Sequence, residues 1–99
     1  MNIQDDRTLQ ETRTTLSAAE VLVEAKRFFA RRNSIYAAFV EKEGPTFVSL
    51  RGQGGEEVLI GVGPGADGVG TRVTGSTYLF DQQVARFFAT LPAPGEVAS

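Results

Sequence analysis

The segment 34–77 constrains the fold most, because its strand-like runs are joined by turns too short for parallel crossovers. The first predicted strand covers 35–42. The turn Glu43-Gly44-Pro45 leads to a second over 46–51, and the loop Gly52-Gln53-Gly54-Gly55 leads to a third over 56–62. A loop dense in glycine, 63–70, precedes a fourth strand over 71–76. That strand is polar and β-branched, which suits the edge of a sheet.

Loop length also predicts register. A turn at Gly44-Pro45 would pair Phe39 with Leu50 and Glu41 with Val48. A loop over 52–55 would pair Arg51 with Glu56 and Val48 with Leu59. Paired residues share a face. One face would then carry Ile35, Ala37, Phe39, Val48, Leu50 and Leu59, and the other Tyr36, Ala38, Val40, Phe47, Val58, Ile60 and Val62. A slip of one residue would exchange these sets and make neither of them polar.

A helix is expected on each side of this meander. Ser17 and Glu20 form a capping box, with Leu16 and Val21 in the staple positions around it. Ala18, Val21, Leu22, Ala25, Phe28 and Phe29 then follow the spacing of a buried stripe, giving a helix over 17–32. The second helix covers about 79–91, with Phe80, Val84, Phe87, Phe88 and Leu91 inward and Gln82, Gln83 and Arg86 toward water. Asp81 stands at its start, and Pro92 and Pro94 stop it. The tetrapeptide Arg-Phe-Phe-Ala occurs in both helices, at 27–30 and 86–89; the flanks differ, so it reads as coincidence between two core-facing helices.

The predicted fold is therefore α+β, a two-layer helix–antiparallel meander–helix of about four strands. Residues 1–15, where Ile3 and Leu9 stand among polar neighbours without period, read as a flexible arm. Residues 16–91 form the domain, and 92–99 a disordered tail.

Composition excludes several functions. The chain has 99 residues and a net charge of −2, without the basic excess that nucleic-acid backbones attract. Cys and His are absent, which removes thiolate chemistry, the usual proton shuttle and the commonest metal ligand. No apolar run approaches the roughly 20 residues of a membrane span. Residues 1–15 do not resemble a signal peptide, so a cytoplasmic location is the default.

The motifs are weak. Gly61-Val62-Gly63-Pro64-Gly65-Ala66 matches a dinucleotide fingerprint, with Asp81 at about the expected distance, but the fingerprint needs a helix opening at the loop. A strand-like segment follows instead. Glu41, Glu43, Glu56, Glu57, Asp67 and Asp81 are scattered over turns and strand ends, where acids are normally solvated. Lys26, Arg27, Arg31 and Arg32 lie near Phe28, Phe29 and Tyr36, an arrangement that single-stranded nucleic-acid binders use; Phe28 and Phe29 in the core stripe and bases at a helix end explain it better.

The functional expectation comes from apolar surface. If both helices cover one sheet face, the other stays apolar and uncovered, which signals a partner. The sequence thus predicts a small non-enzymatic module that homodimerises through Tyr36, Val40, Phe47, Val58 and Ile60. No cofactor or metal is expected. The alternatives are a carrier that holds a small apolar ligand between sheet and helices, and a weak single-stranded nucleic-acid binder. In the carrier, Gly63, Gly65, Asp67, Gly68 and Gly70 would form a mobile rim.

Overall fold

The computed structural model describes residues 8–31, 37–65, 68–78 and 80–93. The elements run β1 (Thr8–Thr14), α1 (Ala18–Ala30), β2 (Ala38–Gly44), β3 (Phe47–Gly52), β4 (Glu57–Pro64), β5 (Thr71–Thr77) and α2 (Asp81–Ala89). All five strands form one antiparallel sheet in the order β1-β5-β4-β3-β2. Both helices lie on the same side, α1 over β2, β3 and β4 and α2 over β5 and β1. The α+β, two-layer class agrees with the sequence reading. The strand count and chain order do not.

The added strand is β1, inside the segment read as a flexible arm. It pairs along its whole length with β5, from Thr8↔Thr77 to Thr14↔Thr71. Its inward residues Gln10, Thr12 and Thr14 are polar, so the alternation of apolar residues that normally reveals a strand is missing. Side-chain bonds fix it in place: Thr14 Oγ1 donates to the Pro92 carbonyl at 2.7 Å and Gln10 Nε2 to the Asp81 carbonyl at 2.8 Å. This addition moves β5, read as an edge strand, into the sheet interior. Residues 1–7 and 94–99 lie outside the described residues.

α1 starts as its sequence dictates. The Glu20 N–H donates to Ser17 Oγ at 3.1 Å and the Ser17 N–H to Glu20 Oε1 at 2.8 Å, which satisfies two otherwise orphaned donors. Its buried residues, Val21, Leu22, Ala25 and Phe29, match the stripe. At the head of α2, the Phe80 N–H donates to Thr77 Oγ1. The two Arg-Phe-Phe-Ala segments meet across the helix layer: Phe28 and Phe29 lie 5.5 and 5.8 Å from Phe87, ring centre to ring centre.

Both predicted registers are displaced. Between β3 and β4 the pairs are Val48↔Ile60, Leu50↔Val58 and Arg51↔Glu57. Glu56 belongs to the loop: its carbonyl accepts from the Gly52 N–H at 2.7 Å and its carboxylate from the Gly54 N–H at 3.0 Å. Gly55 adopts φ +90 there, a conformation glycine takes without strain. Between β2 and β3, Gly44 pairs with Phe47, so the turn is Pro45-Thr46. An irregularity between Val40 and Lys42 then sets Val40 opposite Leu50. These shifts gather Val48, Leu50, Val58 and Ile60, all inaccessible to solvent, on the helix-covered face.

Two positions in the helix layer give expected outcomes. A Cβ on Gly75 would stand 2.5 Å from Val84 Cγ1 and 3.2 Å from the Phe88 ring, so glycine is what lets α2 approach β5. Gly75→Val is expected to cost about 2 kcal/mol or more in urea unfolding through overpacking. Gln83, expected to face water, is 5% exposed, and its Oε1 has no hydrogen-bond partner among the described residues. Gln83→Leu removes a buried unsatisfied acceptor and is expected to raise stability by about 1 kcal/mol in the same assay.

Candidate functional site

The sheet face away from the helices was expected to be apolar and is not. Its β1 and β5 positions are Leu9, Glu11, Arg13, Arg72, Thr74 and Ser76. Its β3 and β4 positions are Phe47, Ser49, Arg51, Glu57, Leu59, Gly61 and Gly63. Ion pairs cross it, Arg72 to Glu11 at 2.9 Å and Arg51 to Glu41 at 2.8 Å. Ser49 Oγ bonds a Glu57 carboxylate oxygen at 3.2 Å. Four apolar residues, Leu9, Phe39, Phe47 and Leu59, stand among these polar neighbours, with Leu9, Phe39 and Leu59 72%, 55% and 38% exposed.

The residues predicted as a dimer contact do not form one surface. Val58 and Ile60 are buried beneath the helices, which the register between β3 and β4 requires. Val40 is exposed on the edge strand β2, on the same side as Leu50. Phe47 is half-buried on the opposite face, its ring over Gly44. Tyr36 lies outside the described residues.

The glycine loop is a hairpin connection. Gly63 pairs with Arg72 inside the β4–β5 ladder, and the Gly65 N–H donates to the Gly70 carbonyl at 3.1 Å. Gly68 and Gly70 adopt φ +73 and +70. A strand follows rather than a helix, so among the described residues no helix N-terminus offers the loop the amide cluster that a pyrophosphate needs. Asp67 is outside the described residues, and among those described no three acidic residues converge as a metal site would require.

Two members of the basic cluster are paired with acids. Lys26 Nζ bonds Glu43 at 2.8 Å and Arg27 bonds Glu24 at 3.1 Å. Phe28 packs edge-on against Phe29 and tilted against Phe87, so its ring is part of the helix-layer cluster. Arg32 is outside the described residues.

The helix layer carries a feature that sequence reading missed. A cleft of about 390 Å³ opens between the first half of α1 and the end of α2, lined by Leu16, Ala19, Val23 and Leu91 with Glu20, Glu24 and Thr90. Val23 is 45% exposed in it. A second cleft of about 280 Å³ continues along α1, lined by Glu24, Arg27, Phe28, Arg31 and Thr90. Val23 lies off the buried stripe, so an apolar residue there was the one available signal. By contrast, the space between sheet and helices is filled: Val21, Ala25, Phe29, Leu50, Ile60, Val84 and Phe87 are all inaccessible.

Comparison with family models, with curated proteins and with solved structures gave no match. No helix among the described residues is long and apolar enough to cross a membrane.

Two carboxylates are held below their usual range. Hydrogen bonds from the Ser17 backbone and side chain do this for Glu20, and a hydrogen bond from Arg51 does it for Glu41. A lowered folded-state value means the stabilisation is present above the unfolded-state value and is lost as pH falls through the folded one. In a carboxyl NMR titration, Arg51→Met is expected to move the Glu41 midpoint upward to the ordinary range and leave Glu20 where it is.

Proposed function

We propose that this chain is a small non-enzymatic binding module whose ligand surface is the cleft between α1 and α2. The observation that carries the reading is the apolar lining of that cleft, Leu16, Ala19, Val23 and Leu91, left open beside a core that is otherwise closed. A lone exposed valine is ordinary on a protein surface. Four apolar residues around one concavity of small-molecule size form the usual starting point for a binding site.

The carrier role anticipated from the sequence thus moves from the interior to the helix layer. The cleft is too small for a whole partner helix and fits a compact apolar molecule. Glu20 and Glu24 at its rim favour a neutral or cationic ligand over an anion. Contact between copies through the open sheet face has less in its favour, since that face carries ion pairs and hydroxyls.

Fluorescence titration with the neutral apolar dye N-phenyl-1-naphthylamine tests the reading. Enhancement is expected for the natural sequence and for Phe47→Asp, and loss of at least about tenfold in affinity for Val23→Asp, which places a charge in the cleft. Binding that survives Val23→Asp, or no enhancement at all, would contradict it.

A further inference from the structure

The two edges of the sheet are built differently, and the difference identifies where a further strand can add. β2 carries the irregularity between Val40 and Lys42 and three consecutive charges, Glu41, Lys42 and Glu43. Bulges and charges of this kind protect an edge against pairing. β1 has no bulge, no proline and no lysine. It pairs with β5 in unbroken register, and among the described residues no strand lies on its other side.

We infer that β1 pairs with β1 of a second copy of this chain, antiparallel about a two-fold axis at Thr12, joining two sheets into one of ten strands. Residues directly opposite must share a face, so only registers of even offset are open to a two-fold normal to the sheet. One sets Glu11 against its own copy and another sets Arg13 against its own copy; both oppose like charges. The register centred on Thr12 sets Glu11 of each protomer against Arg13 of the other.

That arrangement supplies a carboxylate, which Arg13 lacks among the described residues. Arg13 stands opposite Arg72 in the ladder with β5, and Glu11 is engaged with Arg72 at 2.9 Å. Arg13 itself bonds only the Val69 carbonyl, at 3.1 Å, and meets no carboxylate among the described residues. A second Glu11 beside it balances the pair of guanidiniums. Leu9, 72% exposed on the same face, falls at the end of the new ladder, opposite Thr15 of the copy. A single added strand buries less than a standard interface of about 800 Å² per partner, so the dimer belongs to the weak, concentration-dependent class.

The inference does not depend on the cleft, and charge reversal tests it separately. In analytical ultracentrifugation over a concentration series, the natural sequence is expected to pass from monomer to dimer at high micromolar protein. Glu11→Arg alone and Arg13→Glu alone each create two like-charge pairs and are expected to weaken the dimer by about tenfold or more. Mixed one to one, these two variants become complementary and are expected to form a heterodimer. The doubly exchanged protein, Glu11→Arg with Arg13→Glu, is expected to dimerise as the natural one does. Circular dichroism of each variant separates dissociation from unfolding. A natural sequence that stays monomeric throughout, single variants that dimerise undiminished, or a mixture that fails to associate would each overturn the inference.

Discussion

Four β residues and two aromatic rings hold the two layers together. Val48, Leu50, Val58 and Ile60 form a dry square at the sheet centre, and Phe29 and Phe87 belong to the same buried cluster on the helix side. Each aliphatic side chain buried there contributes about 2 kcal/mol. All four must point the same way for this to happen. The cross-strand pairs Val48↔Ile60 and Leu50↔Val58 meet that condition, and a slip of one residue would carry two of the four out to solvent.

The register in turn depends on a loop. Glu56 closes the β3–β4 connection through its own carbonyl and carboxylate, which makes Glu57 the first residue of β4. Once the strong apolar residues are inward, the opposite face receives Ser49, Thr74, Ser76 and the ion pairs of Arg51 and Arg72. The sheet thus has one core face and one solvated face, the ordinary state of an antiparallel sheet covered on one side. The open features of the described residues are instead the helix-layer cleft and the outer edge of β1.

Much of the architecture was legible because local signals agreed. Ser17 and Glu20 announced α1, the three-four spacing of Val21, Leu22, Ala25 and Phe29 announced its buried side, and the glycine turns marked the meander. β1 was not legible, since Thr12 and Thr14 face inward where apolar residues are usual; the strand is held by pairing with β5 and by the Thr14 bond to the Pro92 carbonyl. Register failed for a different reason. Turn length was judged from glycine positions, while a glutamate side chain decides where the loop ends. That error in the β3–β4 register joined buried Val58 and Ile60 to Phe47, on the other side, in one expected contact set.

The open surface was legible only in part. An exposed Val23 can be read from helix phase, but the approach of Leu91, just past α2 and nearly seventy positions away, is a tertiary fact. The self-complementary pair Glu11 and Arg13 is visible in the sequence, yet it means nothing until the segment is known to be an edge strand. The most direct test of the whole account is the register between β3 and β4, read as methyl–ring nuclear Overhauser contacts. Contacts are expected from the Val58 and Ile60 methyls to the rings of the helix-layer Phe cluster, and none from Leu59; contacts from Leu59 in place of Val58 and Ile60 would contradict this register.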